Sequence, residues 1–285
     1  MTVNLVGTVH QMTVQEVSDQ GYLLLKGTEK AILPNEVVER KLEVDDSIDV
    51  FVYHDKRGKL IATAELPKVV RGLYSWVEVI EAVPNLGVFV DIGAGVEVLV
   101  SMDDLPLFQS AWPVEGDKLY VTLTTDKKER LLAVTGSERD FSDLFTFASD
   151  IDLNADVSGY VIRTDREGAV IITDEPHYRA FIHHTERERE PRLGEHVTGR
   201  VIEVKEDGTL NVSLLPLKHE RMDDDAEKIF AYLTEAGGEM PFGDKSDPEA
   251  IRATFQMSKS AFKRALGRLM KEKKIEQRDG KTYLK

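Results

Sequence analysis

Three groups of side chains in this sequence have types and spacings that suggest chemistry. They are a histidine cluster with acidic neighbours, aromatics set in alternating segments, and a run of cations near the C-terminus. His177, His183 and His184, with Asp174 and Glu175, are donors of the right kind for a metal. Their spacing matches no metal-binding template, so no metal site is expected. Gly280-Lys281-Thr282 echoes the end of a phosphate-binding loop, but Ile275 stands where that loop requires its first glycine. Gly93-Ala94-Gly95 lacks a third glycine and a following helix, and Asp103-Asp104 has no basic partner to tune it. The chain has no cysteine, which removes thiolate nucleophiles, thiolate zinc sites and disulfides together. No nucleophile, base and orienting group come together, so neither an enzyme nor a cofactor is expected. What remains is ring stacking and contact with phosphates.

Charge limits where such contacts can lie. The 285 residues are 41% hydrophobic and 31% charged, with a formal net charge of -14. That balance argues against indiscriminate binding to polyphosphate, which draws on counterion release by clustered Lys and Arg. The average hides a gradient. From Lys259 onward ten basic residues face only Glu272, Glu276 and Asp279. No apolar run approaches the roughly 18 residues that span a bilayer. The opening Met1-Thr2-Val3-Asn4-Leu5-Val6-Gly7 lacks the basic flank of a signal peptide, so a cytoplasmic protein with no membrane partner is expected.

The elements that must position these residues are mostly short strands. Segments such as Val50-Phe51-Val52-Tyr53, Val77-Glu78-Val79-Ile80 and Leu119-Tyr120-Val121-Thr122-Leu123 alternate between Gly, Asp and Asn turn signals. Hairpin turns are legible at Asp55-Lys56-Arg57-Gly58-Lys59 and Glu206-Asp207-Gly208-Thr209. A coarse repeat of about 70 residues emerges. Each unit opens on a Gly-entered strand (Gly7-Thr8-Val9, Gly72-Leu73-Tyr74, Gly159-Tyr160-Val161). A Gly-led strand follows (Gly21-Tyr22-Leu23, Gly87-Val88-Phe89, Gly168-Ala169-Val170), and the third strand runs into a polar loop. Five strands per unit is the size of one small Greek-key barrel.

Beyond Pro216 the pattern becomes helical. Asp223-Asp224-Asp225 are expected to cap a helix with Ala226, Ile229, Phe230 and Leu233 on one face, ended by Gly237-Gly238. Ser246-Asp247-Pro248-Glu249 reads as a capping box for a second helix. Ser258 is expected to cap a third, with Ala261, Phe262, Ala265, Leu266, Leu269 and Met270 on its apolar face. Lys259, Lys263, Arg264, Lys271 and Lys274 lie on the other face. Residues 275–283 then read as a strand-turn-strand wing. Three helices and a wing resemble a winged helix, whose third helix usually carries recognition.

The stretch Asn85-Leu86-Gly87-Val88-Phe89-Val90-Asp91-Ile92-Gly93, followed by Val98-Leu99-Val100 and Gly116-Asp117-Lys118-Leu119, resembles the S1 RNA-binding domain, an oligonucleotide-binding barrel. The third unit repeats the pattern with Phe181-Ile182-His183 and Gly194-Glu195-His196-Val197, and the first is the most divergent. The expected fold is mainly β with a C-terminal α+β domain: three tandem S1-type OB-fold barrels (1–66, 67–147, 148–219) and a winged helix (222–285). That order, together with Val50-Phe51-Val52-Tyr53, Leu60-Ile61-Ala62-Thr63 and Met257-Ser258-Lys259-Ser260-Ala261-Phe262-Lys263, resembles the bacterial conserved virulence factor B family, also called YitL-like proteins.

The S1 resemblance implies a binding surface on the second and third strands, with two aromatics three residues apart and a histidine. In the second unit Phe89 keeps one aromatic position, while Leu86 and Ser101 replace the other two groups. Gln20 and Leu23 fill the aromatic pair in the first unit, and Glu167 and Val170 in the third, which retains His183 with Tyr160 and Tyr178 nearby. The candidate RNA-binding residues are therefore Phe89, Tyr160, Tyr178, His183, Lys259, Lys263, Arg264, Arg268 and Lys271. Phe89 is as well suited to a core position as to a platform, and Trp76 and Trp112 read as packing residues. Strand alternation predicts one of His183 and His184 outward and the other inward. The chain reads as an RNA-binding regulator engaging single-stranded RNA across the third barrel and the winged helix. Ribosomal or RNA-decay proteins are the other candidate partners, and the family resemblance implies a role in post-transcriptional control of bacterial gene expression. Two rivals stand beside it: a winged-helix DNA-binding transcription regulator, and a protein-docking scaffold.

Overall fold

The computed structural model describes residues 4–38, 40–216 and 218–285, and only the backbone between 218 and 224. It separates into two compact units, Met1–Leu215 and Pro216–Lys285. The first holds three closed five-stranded barrels of one topology. Barrel 1 is β1 (Thr8–Ser18), β2 (Gly21–Lys26), β3 (Glu29–Pro34), β4 (Ser47–His54) and β5 (Leu60–Thr63). Barrel 2 is β6 (Ser75–Val83), β7 (Gly87–Asp91), β8 (Glu97–Ser101), β9 (Lys118–Thr125) and β10 (Leu131–Thr135). Barrel 3 is β11 (Asp156–Thr164), β12 (Gly168–Thr173), β13 (Arg179–His183), β14 (His196–Val204) and β15 (Leu210–Ser213).

In each barrel the third and fifth strands pair in parallel and the other neighbours run antiparallel. The first strand carries a register shift at the same point in all three, at Val14/Glu16, Val79/Glu81 and Val161/Arg163. A bulge there bends the long strand so that it pairs with the second strand over one half and the fourth over the other. The hairpin glycines predicted from sequence, Gly58 and Gly208, adopt φ of 77° and 75°. Inward residues fill each barrel: Val14, Leu24 and Leu33 in the first, Val88, Val90 and Val100 in the second, Ala169, Ile171 and Ile182 in the third.

The barrels also share apolar contacts. Phe51 lies between two inward-facing valines on β4, so it points outward from barrel 1, yet it is fully buried within the cluster built around barrel 2. Leu193, from the loop before β14, joins that cluster from barrel 3. Beside it the Lys118 N–H donates to Gly194 O at 3.0 Å, and the Leu193 N–H donates to Ala111 O at 3.0 Å. Asp117, only 7% exposed, accepts from Arg192 Nε at 2.9 Å and Nη2 at 3.1 Å. Arg189 and the Arg192 N–H both donate to Glu195. Burial pushes the Glu195 carboxyl up, but the bonds from Arg189 and Arg192 outweigh that and hold it below the ordinary value of 4.5. A depressed carboxylate stabilises the folded state above that value and loses its contribution as pH falls toward the folded-state pKa. Acid unfolding followed by fluorescence is therefore expected to steepen below pH 4.5 in the natural chain, and to be flatter there in Glu195→Gln.

The second unit contains α1 (Lys218–Glu235), β16 (Glu239–Met240), α2 (Pro248–Phe255), α3 (Lys259–Lys271), β17 (Ile275–Arg278) and β18 (Lys281–Leu284), with strand order β16-β18-β17. The predicted caps Asp223-Asp224-Asp225 lie inside α1 and not at its start. No glycine or proline separates them from Lys218, so nothing stops the helix from extending back toward Pro216. The helix ends at the expected glycines, where the Gly238 N–H returns to Leu233 O at 2.9 Å. The cap of α2 is Asp247, which accepts from the Glu249 and Ala250 N–H groups, while Ser246 instead accepts from the Gly243 N–H. Ser258 caps α3 as expected, accepting from the Ala261 N–H at 3.2 Å. Ile229, Leu233, Ile251, Phe262, Leu266 and Leu269 form the core. Met270, placed on that face by sequence, is 41% exposed, because at the last turn of α3 its side chain falls past the edge of the core.

Candidate nucleic-acid interface

The face of α3 opposite the buried Phe262, Ala265, Leu266 and Leu269 presents Lys263, Arg264 and Lys271, all exposed, with Lys259 half-buried at its N-terminal end. None of these four has an ion-pair partner among the described residues. Arg268 differs: its Nε donates to Glu272 Oε1 at 2.9 Å. Lys274 approaches the same carboxylate at 2.8 Å. Hydrogen bonds from Lys274 and then Arg268 hold the Glu272 carboxyl below the usual carboxylate range. The wing cations are also engaged. Arg278 pairs with Glu276 and covers the Tyr283 ring at 5.3 Å, and Lys281 Nζ lies 2.6 Å from Glu239. Of the cations named here, only Lys259, Lys263, Arg264 and Lys271 have no carboxylate partner among the described residues.

In barrel 2, Phe89 is half-buried on the outer face of β7, opposite Leu99 on β8 and Glu81 on β6. Leu86 and Met102 stand exposed beside it, joined by a 2.9 Å bond from the Met102 N–H to Leu86 O. Ser101, at the histidine position, accepts from the Asp103 N–H at 3.3 Å. Burial and the neighbouring Asp103 push the Asp104 carboxyl up. This surface is apolar with an acidic rim, suited to a ring and unsuited to a phosphate.

Barrel 3 departs furthest from expectation. Its second strand, β12, is buried along its whole length, on both faces. The outward Val170 and Ile172 form one buried cluster with Ile162 and Phe141, surrounded by Trp76, Tyr120, Leu144, Phe145, Tyr160 and Phe181. Tyr160 packs 5.1 Å from Trp76 and 4.7 Å from His196, with Lys118 Nζ 5.5 Å from its ring, so it belongs to the contact between barrels 2 and 3. Tyr178 packs half-buried against the core of barrel 3. His183 is exposed, its Nδ1 accepting from the Thr185 N–H at 3.3 Å. His184 is exposed too, contrary to the alternation expected, because β13 stops at His183 and His184 opens a short helical turn. Trp112 is buried, its Nε1 donating to Pro106 O at 2.7 Å.

The candidate residues therefore do not converge. Phe89, Tyr160 and Tyr178 lie in three different settings, and only His183 among the barrel candidates is fully on the surface. Sequence reasoning missed Arg163, Arg179 and the segment that closes over them, although the excess of phenylalanines between the second and third barrels (Phe141, Phe145, Phe147) was visible. Among the described residues no group of three or more His, Asp or Glu could hold a metal ion, and no helix is long and apolar enough to cross a membrane.

Comparison with known proteins accounts for nearly the whole chain. Residues 227–284 match the CvfB-like winged helix domain, 74–134 the CvfB first S1-like domain, 141–216 the second domain of the virulence regulatory factor CvfB, and 6–65 an S1 domain. The Bacillus subtilis protein YitL is 44% identical over 274 residues, covering 96% of this chain and 92% of its own. The conserved virulence factor B of Staphylococcus epidermidis is 38% identical over 285 residues, covering 99% and 95%. A solved multidomain protein with nucleic acid binding domains from Streptococcus pneumoniae superposes with a TM-score of 0.67 at 36% identity, covering 99% of each chain. These domain types point to nucleic-acid binding.

Proposed function

The chain belongs to the conserved virulence factor B family, and from that premise we propose that it is a non-catalytic, cytoplasmic regulator that binds single-stranded RNA in the post-transcriptional control of bacterial gene expression. One observation carries the reading: Lys263, Arg264 and Lys271 stand exposed, without ion-pair partners among the described residues, on the third helix of a winged helix, in a chain of net charge -14. In so acidic a protein a cationic helix face without carboxylate partners gives a polyanion a place where counterion release can favour binding. Phe89 and His183 are the aromatic positions of the barrels that remain open to a base, and 1–66, 67–147, 148–219 and 222–285 are the proposed domain limits.

The test is binding of the full chain to fluorescent single-stranded RNA, single-stranded DNA and duplex DNA at two salt concentrations. Single-stranded RNA is expected to bind tightest, with an affinity that falls as salt rises. Preference for the duplex would replace this reading with a transcription regulator acting through the winged helix. No binding at low salt would leave a scaffold that docks ribosomal or RNA-decay proteins, a use of S1-type faces consistent with barrel 3, whose outer face is spent on contacts within the protein.

A further inference from the structure

Val170 and Phe89 occupy equivalent places: each is the third residue of its barrel's second strand, and each faces a residue of the third strand, Phe181 and Leu99 respectively. Phe89 is half open to solvent, while Val170 is 0% exposed. The difference is the stretch 137–145, which lies over the outer face of β11, β12 and β13. Phe141, 1% exposed, caps Val170 and Ile172, with Leu144 and Phe145 beside it. Glu138 brings a carboxylate to two guanidinium groups at once, with Oε2 2.6 Å from Arg163 Nη1 on β11 and Oε1 2.5 Å from Arg179 on β13. Rings against the platform and one anion shared by two arginines is what a stacked, phosphate-bearing strand would supply.

The stretch is attached in a way that permits release. Its ends are fixed by the bond from the Gly136 N–H to Tyr120 O and by that from the Thr146 N–H to His177 O, both 2.8 Å. Between them, among the described residues, backbone bonds are internal turns only: Asp140 to Ser137, Ser142 to Arg139 and Leu144 to Phe141. Side chains alone hold it to the barrel, so it can lift without breaking a β ladder. The Asp117–Arg192 pair and the Lys118–Gly194 bond lie outside it and would still join barrels 2 and 3.

We propose that residues 137–145 are a self-ligand of barrel 3, occupying an oligonucleotide-binding face that single-stranded RNA reaches only when the stretch leaves. The proposal rests on the nucleic-acid reading above only for the identity of the competitor. It is tested in the full chain carrying Lys263→Ala, Arg264→Ala and Lys271→Ala, so that binding through α3 does not mask the result. Adding Glu138→Gln and Phe145→Ala is expected to tighten binding of a fluorescent single-stranded RNA about tenfold, the weight of one stacked base. Replacing Arg163 and Arg179 by alanine as well should abolish that gain, and Glu97→Gln, an equal change of charge on barrel 2, should produce none. Glu138→Gln alone leaves every buried ring in place and should give part of the gain if the double replacement fails to fold. With Trp112→Phe leaving Trp76 as the sole tryptophan, saturating RNA should shift Trp76 emission to the red as Phe141 withdraws. No gain in a folded variant, a gain that survives removal of the arginines, or an unchanged Trp76 spectrum when RNA is bound would overturn the proposal.

Discussion

Alanine at Lys263, Arg264 and Lys271 together is expected to weaken RNA binding about 30-fold near 0.2 M salt and to flatten its salt dependence. The estimate follows from counterion release: each phosphate neutralised on a single strand contributes about 0.7 to the slope of log affinity against log salt, or roughly half a decade at that salt concentration. Three contacts therefore give about one and a half decades and a slope shallower by about 2. The substitutions suit the purpose because the three side chains are exposed and unpaired among the described residues, so their removal costs α3 no ion pair with those residues and no packing. Arg268 is a poor choice for the same experiment, since losing it leaves Glu272 to Lys274 alone and removes the i,i+4 pair at the end of the helix. Fluorescence anisotropy at several salt concentrations reads both numbers. A uniform loss of affinity with an unchanged slope would mean that the helix was damaged and no phosphate contact was lost.

The architecture was legible because it repeats. Three Gly-entered first strands, three Gly-led second strands and the alternation between them specify three barrels, and all three carry the same bulge and the same parallel closure. The C-terminal helices were legible through Ser258, Gly237-Gly238 and the period of their apolar residues, although the start of α1 was not, because acidic residues favour a first turn without requiring it. Site reasoning failed where a surface was judged within one barrel at a time. Tyr160 looks like a platform residue on β11, but it is half-buried and one ring packed against it, Trp76, lies more than 80 positions earlier in the chain. Val170 looks like a lost aromatic, when its small size makes room for Phe141. In the same way Gly208, read as a turn residue, also leaves room for Phe147, whose ring a Cβ at that position would strike. Alternation along a strand reports which face a residue is on, and says nothing of what covers that face.

Phe141→Ala is expected to be the most destabilising single substitution in the stretch between barrels 2 and 3. The ring is 1% exposed and lies 4.7 Å from Tyr120 and 5.9 Å from Trp76. Truncating a buried phenylalanine to alanine costs about 3–5 kcal/mol, the transfer of the ring plus the cavity left behind. Where that cost falls is the sharper expectation. Phe141 belongs to neither barrel interior, since the inward-facing clusters of barrels 2 and 3 are complete without it. Its loss should therefore weaken the join between the barrels more than either barrel itself. Amide exchange should quicken in the outer contacts of β11 and β12 while the inner strands of barrel 2 keep their protection. Denaturant unfolding should in turn begin earlier and over a broader range than in the natural chain, as the join gives way first. A single sharp transition displaced by the full amount would show that the three barrels unfold as one body and that Phe141 acts as part of a common core. A loss below about 1 kcal/mol would show that the stretch is not packed as described, because a partly filled site relaxes at little cost while a dry aromatic cluster does not.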